Sequence, residues 1–193
     1  MQFQPQTMQT QWRGPLGPML LAVSPAGLAG LWFTDQKHLP VSSLWPVLRA
    51  KPPVHQGMPL AQTQAQSYPA HAQQMAWAQQ SCSELAEYFA GTRSAFSMPL
   101  DISGGTAFQQ AVWQGLLAIP CGEITSYGAL AAAIGKPAAV RALGAAVGHN
   151  PLSIIVPCHR VIGADGSLTG YAGGLARKTA LLQHEGVLPE GLL

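Results

Sequence analysis

Residues 125–147 read TSYGALAAAIGKPAAVRALGAAV. Thr125 or Ser126 can cap a helix running to Ile134, because a short hydroxyl side chain accepts from the unpaired amides of a first turn. Gly135 stands where a helix C-terminus takes positive φ, and Pro137 suits the first turn of a further helix reaching about Val147. Two short helices joined by a tight glycine turn make a helix-turn-helix pattern, with an ordinary helical hairpin as the alternative. The later helix is almost featureless. Ala138, Ala139, Ala142, Gly144, Ala145 and Ala146 leave Arg141 as its one charge. Such a face cannot read base edges, which takes several long polar side chains, but it can approach a groove wall closely and insert Arg141 as a single probe. A packed internal helix with Arg141 in solvent is the competing reading.

Upstream, Thr106 can cap a helix over 107–118 with Phe108, Val112, Leu116 and Ile119 on one face, ended by Pro120-Cys121-Gly122. Earlier still, Leu16–Val23 and Leu28–Thr34 are apolar runs around Ser24-Pro25-Ala26-Gly27, which predicts a strand pair. The Gln-rich start predicts a frayed end, and the Pro, Gln and Ser content of 35–69 a long surface loop. Met75, Trp77, Leu85, Tyr88 and Phe89 space a helix over 70–90, stopped by Gly91. Phe96–Ile102 is expected as another strand before Ser103-Gly104-Gly105 breaks the chain. The organisation expected is an N-terminal α/β domain with a long loop, residues 1–105, and a C-terminal domain, 106–193.

A chain of 193 residues with 48% apolar and 9% charged side chains is no disordered tail, collagen or coiled coil. A net charge of +2 gives no global basic field, so nucleic-acid binding would need a local patch. Between Thr106 and His184 the charges are sparse but mostly of one sign, five positive against two negative. Cys82, Cys121 and Cys158 are odd in number and far apart, which argues against a disulfide framework and for a reducing compartment. No CxxC or HxxxH spacing occurs, so no metal site is expected. No window reaches the length of a membrane span, and the N-terminus lacks a leader pattern, so a soluble cytoplasmic protein is expected.

Downstream of the helix pair, Asn150-Pro151 marks a turn and Leu152–Val156 reads as a short buried strand delivering Cys158 and His159 together. A thiol reacts as its thiolate and needs a base or a positive neighbour to ionise near neutrality. Consecutive residues of an extended segment face opposite ways, so His159 would need a turn or a bridging water to reach the sulfur. The base also needs its other ring nitrogen held. With so few acids, Glu185, closing the amphipathic stretch 175–185, is the expected partner of His159, against a merely solvated carboxylate. Cys82 and Cys121 read as structural.

The string from Asn150 through Pro157-Cys158-His159-Arg160 to Gly163, with Leu168-Thr169-Gly170-Tyr171-Ala172-Gly173-Gly174 and Lys178, closely resembles the O6-alkylguanine-DNA alkyltransferases. So do Phe108-Gln109 with Val112-Trp113, Ile119-Pro120-Cys121-Gly122, Ser126-Tyr127-Gly128 with Leu130-Ala131, and Arg141-Ala142-Leu143-Gly144. The matches keep family order from Thr106 to Gly186. The resemblance implies an α+β fold: a small N-terminal β-sheet and helix domain, ribonuclease-H-like, then a mostly helical domain with a winged-helix-like helix-turn-helix. It implies a DNA repair protein that moves an alkyl group from O6 of guanine, with O4 of thymine as a second position, onto its own cysteine. Cys158 would be the acceptor, His159 the water-mediated base and Glu185 its orienting group. Asn150 would fix the turn, Tyr127 donate to the leaving base, and Lys178 lie close to the thiolate. Arg141 would replace the extruded nucleotide from the minor-groove side, with Ala138, Ala142 and Gly144 against the DNA. Val147, Tyr171, Ala172 and Gly173 would wall the base pocket, where the modest volumes of Val147 and Ala172 suit groups larger than methyl. The implied partner is double-stranded DNA, read with little sequence preference by a monomer, without cofactor or membrane.

The chemistry suits these residues. Displacement at an alkyl carbon wants a soft nucleophile and a leaving group improved by protonation. The lesion lies inside the stack and must be extruded at a cost of a few kcal/mol. Because the product is a thioether, each molecule acts once. Thr179-Ala180 depart from the Glu-Trp the family commonly carries after the lysine, and the absence of cysteine before Cys82 removes the N-terminal zinc site of some members. With no appended transcription-activator domain, a stand-alone transferase rather than a regulator is expected. Two other classes compete: a non-catalytic lesion-binding module, whose relatives lack the thiol, and a cysteine hydrolase, which would need an oxyanion hole.

Overall fold

The computed structural model describes residues 3–40, 46–48 and 69–189. Three antiparallel strands, β1 (Met8–Gly14), β2 (Gly17–Ser24) and β3 (Gly27–Phe33), form a sheet in that order. The apolar runs do become β2 and β3, but within the Gln-rich start, expected to fray, Met8–Gly14 is β1, registered Met8 to Val23 and Gly14 to Gly17. The β2–β3 turn needs Gly27, where φ is 146° and a Cβ would stand 2.4 Å from the Pro99 carbonyl oxygen. Helix α1 (Pro69–Phe89) packs on the sheet, tied by the buried Gln74, whose amide donates to the carbonyls of Gln6 and Val23, both at 2.8 Å. The expected 35–69 loop falls largely outside the described residues; at 46–48, Leu48 N–H donates to the Gln9 carbonyl at 2.6 Å.

Phe96–Ile102 is not a strand. It makes one bridge to β3, with Leu28 N–H donating to Pro99 O and Asp101 N–H to Leu28 O. Pro99 brings no N–H to extend a ladder, and Asp101 turns aside to accept from the Ser24 and Ser103 hydroxyls. Further along the same β3 edge, Leu31 N–H donates to Pro151 O at 2.8 Å and Ser153 N–H to Leu31 O at 2.9 Å. The sheet edge thus holds the segment that leads to Cys158.

Helix α2 (Ala107–Leu117) opens with a reciprocal cap: the Thr106 hydroxyl accepts from Gln109 N–H, and the Gln109 side chain accepts from Thr106 N–H. Thr106→Ala is expected to cost about 1 kcal/mol in urea unfolding. A short strand β4 (Thr125–Ser126) leads into α3 (Tyr127–Ala133), capped by Ser126 through the amide of Ala129. Gly135 takes φ 70°. The next helix begins later than expected. Pro137–Ala139 form a 3₁₀ turn with no side-chain cap, and α4 (Val140–Gly148) follows. Strand β5 (Val161–Ile162) pairs parallel with β4, and α5 (Leu175–His184) is the last element among the described residues.

One apolar cluster runs from Leu21 and Leu31 of the sheet through Leu85 and Trp113 to Val156 and Leu181, so the sheet half and the helical half share a core. The Trp113 indole N–H donates to the carbonyl of Ala146, fastening α2 to α4. Leu20, Ala22 and Trp32 cluster separately. Among the described residues no helix is long and apolar enough to cross a membrane.

Candidate active site

The apolar run Leu152–Val156 is a chain of turns rather than the expected strand. Ile154 has φ 74°, and Ile155 N–H donates back to Ser153 O at 2.9 Å, which makes Ile154 the centre of a γ-turn, a strained conformation for a β-branched residue. A second γ-turn follows at Pro157, φ −81° and ψ 62°, where Cys158 N–H donates to Val156 O at 2.8 Å. The ring of Pro157 presets that φ. Asn150 replaces the missing ladder: its Oδ1 accepts from Leu152 N–H at 2.9 Å and its Nδ2 donates to Val156 O at 2.7 Å. The same Nδ2 reaches Cys158 Sγ at 3.0 Å. Cys158, His159 and Arg160 then form one 3₁₀ turn, so thiol and imidazole do not alternate across a strand.

All three side chains are buried, and so is Glu185, at the C-cap of α5 with a side chain 0% exposed. His159 Nε2 lies 2.9 Å from Glu185 Oε1. That bond puts the ring proton on Nε2 and leaves Nδ1 as a free acceptor, buried and without a hydrogen-bond partner. The pairing of Glu185 with His159 is as expected, but the carboxylate has two further partners that the sequence reading missed. Arg160 grips it with Nε to Oε2 and Nη2 to Oε1, both at 2.8 Å, and sends Nη1 to the Ile119 carbonyl at 2.6 Å. Tyr88, from α1, donates its phenol to Oε1 at 2.7 Å. Arg160 had a signal, being one of very few charges and set inside an apolar string. Tyr88 had none beyond its place on an apolar helix stripe.

The electrostatics follow. Burial pushes the Glu185 carboxyl up, but the hydrogen bonds and charges of His159 and Arg160 overrule it and hold it well below the usual carboxylate range. Burial lowers His159, against the pull of Glu185, and keeps the ring neutral. Burial also raises the Cys158 thiol, and the Asn150 hydrogen bond and the Lys178 charge offset this only in part. The sulfur is therefore a thiol at rest, and a base must take its proton. Lys178 is wholly buried, with Nζ donating to Val161 O and Thr169 O at 2.6 Å each, and burial pulls it down to about 8.

Tyr127 is half-buried between α4 and the 169–174 loop: a Cβ on Gly144 would come 4.0 Å from its ring, and one on Gly170 3.9 Å from its hydroxyl. Burial keeps this phenol protonated. Leu143, Ala146 and Val147 of α4 face inward, while Ala138, Arg141 and Ala142 lie exposed along one side. Tyr171 and Gly173 are buried and Ala172 half-buried in a loop fastened by Lys37 N–H to Ala172 O and by Arg177. Arg177 donates to Gly173 O and Leu16 O and lies 4.3 Å over the Phe33 ring. Cys82 and Cys121 are free, half-buried thiols, and burial raises both.

The DNA-binding domain of 6-O-methylguanine DNA methyltransferase is the family model that matches residues 107–187. Over 171 residues, 89% of this chain and 87% of the relative, the sequence is 43% identical to the methylated-DNA–protein-cysteine methyltransferase of Mycobacterium leprae. The chain belongs to the methylated-DNA–protein-cysteine methyltransferase family. The Salmonella typhimurium methyltransferase is 59% identical over 105 residues, a stretch that spans 61% of that relative's length. The crystal structure of Mycobacterium tuberculosis OGT in complex with DNA superposes with a TM-score of 0.73 at 38% identity, covering 95% of this chain and 96% of that one. The mixed fold of a small antiparallel sheet with helices is thus that of solved methyltransferases. The matched stretch 107–187 contains Tyr127, Arg141, Asn150, Cys158, His159, Lys178 and Glu185, whereas Tyr88 precedes it.

Proposed function

We propose that this methyltransferase moves the alkyl group of O6-alkylguanine in duplex DNA onto Cys158 Sγ, once per molecule. The single observation that carries the reading is the buried line Glu185–His159–Cys158, with Nε2 held by the carboxylate, Nδ1 free and the sulfur under the Asn150 amide. His159 Nδ1 takes the thiol proton through a water, Sγ attacks the alkyl carbon, the carbon–O6 bond breaks, and Tyr127 supplies a proton to the leaving guanine. The Lys178 ammonium steadies the sulfur as negative charge develops on it. Arg141 fills the gap left by the extruded nucleotide, and the exposed Ala138 and Ala142, with the half-buried Gly144 beside them, let the minor groove come close. Val147, Tyr171, Ala172 and Gly173 wall the base pocket. The DNA bound to the Mycobacterium tuberculosis relative supports DNA as the partner. We read the sheet half, 1–105, as ribonuclease-H-like and 106–193 as winged-helix-like, the whole acting as a cytoplasmic monomer.

The test is stoichiometry. Incubated with duplex DNA carrying labelled O6-methylguanine, the protein is expected to retain one label per chain, located at Cys158 by peptide mass spectrometry. No retained label would support a lesion-binding module, and release of many labelled products a hydrolase; either outcome overturns the transfer reading.

A further inference from the structure

Glu185 carries its donors unevenly. Oε1 accepts from His159 Nε2 at 2.9 Å, Arg160 Nη2 at 2.8 Å and the Tyr88 phenol at 2.7 Å, while Oε2 accepts from Arg160 Nε at 2.8 Å. Tyr88 is pinned in place. It is 1% exposed, its ring centroid lies 5.1 Å from Phe89, 5.5 Å from Phe96 and 4.8 Å from His184, and its carbonyl is held by His184 Nε2 at 2.7 Å. The ring would serve the core equally well as phenylalanine; only the oxygen needs Glu185. Burial, reinforced by the charge of Glu185, pushes the Tyr88 phenol far above its ordinary value, so it stays a donor throughout the working pH range.

We infer that Tyr88 is a positioning residue for alkyl transfer: its phenol fixes Oε1 against His159 Nε2 and draws off part of the carboxylate's charge, so that the imidazole stays neutral with Nδ1 free. This rests on the transfer reading above. The sheet half of the chain thereby sets the base strength of a site whose other parts lie in the 107–187 stretch. The groups that face the imidazole are Glu185, Arg160 and Lys178; those that face the phenol are Glu185, Arg160, Cys121 and His184. Of the three around the imidazole, only Glu185 favours the imidazolium, and Arg160 and Lys178 oppose it. Removing the Tyr88 oxygen concentrates the carboxylate's charge on fewer donors, which strengthens its hold on a protonated ring.

Tyr88→Phe in the full chain tests this with two readouts. In ring-nitrogen NMR, which needs no DNA, the His159 titration midpoint is expected to move to higher pH. In transfer kinetics with O6-methylguanine duplex, the variant is expected to be about three- to tenfold slower at acid pH, where His159 is mostly protonated, with the gap narrowing as pH rises, the ratio that a midpoint raised by about half to one pH unit gives. A second variant, with 3-fluorotyrosine at position 88, offers a stronger donor at nearly the same volume and should move the midpoint the other way. Superimposable His159 titrations for all three proteins, or a rate ratio that does not change with pH, would overturn the role of Tyr88 while leaving transfer intact. A parent protein that takes up no label would overturn the transfer reading instead.

Discussion

Cys158→Ser is expected to take up no measurable alkyl group from O6-methylguanine DNA, a fall of more than about a thousandfold in rate. The hydroxyl would occupy the sulfur's place under the Asn150 amide, so binding and fold should survive. What changes is the proton and the electrons. Burial already raises the thiol above its usual value, so even the parent depends on a base to ionise it. That base is weak, because burial lowers His159. A ring able to accept a proton from a thiol cannot take one from an alcohol many orders of magnitude less acidic, and oxygen is the harder nucleophile towards an alkyl carbon. Intact-mass measurement after incubation with excess lesion DNA checks the result: the parent gains one methyl, the variant none. A variant that still gains it would place the acceptor elsewhere.

Arg160→Met is expected to destabilise the protein by about 3–5 kcal/mol, because it strands the Glu185 carboxylate in the interior and leaves the Ile119 carbonyl without its donor. Arg160→Met with Glu185→Gln should cost clearly less than Arg160→Met alone, since the stranded charge is then gone. The pH dependence carries a sign. Glu185 is held below its ordinary value of 4.5 in the folded protein, so the stability it contributes is complete above that pH and is lost as pH falls towards the folded value. Without Arg160 the folded value rises, and the acid slope of urea unfolding free energy should flatten. Equal unfolding free energies for parent and Arg160→Met at pH 7 would show that the fork contributes nothing.

The helices from Thr106 onward were readable because their punctuation is chemical: Thr106 and Ser126 cap with their own hydroxyls, and Gly135 turns with positive φ. Strands β2 and β3 were readable from unbroken apolar runs. Strand β1 was not, because Met8, Thr10 and Trp12 alternate with Gln and Arg, and a partly exposed strand draws its pairing from β2 rather than from its own composition. The opposite error arose at Leu152–Val156. An apolar β-branched run reads the same in a buried strand as in a buried turn, and only the Asn150 side chain, bonded to Leu152 and Val156, decides between them. Placing Cys158 and His159 on that imagined strand set them on opposite faces, whereas the 3₁₀ turn carries both into the interior. Glu185 was found by scarcity of acids. Tyr88 could not be, since a tyrosine on an apolar stripe keeps its polar tip hidden until the partner across the core is known.

The outer flank of β3 has its amides and carbonyls at Leu28 and Leu31 engaged by Pro99, Asp101, Pro151 and Ser153. A foreign polypeptide approaching there finds no open ribbon on which to zip itself, so crowding should not readily recruit this sheet into fibrous stacks. The loops that deliver Cys158 thus also seal that border of the sheet.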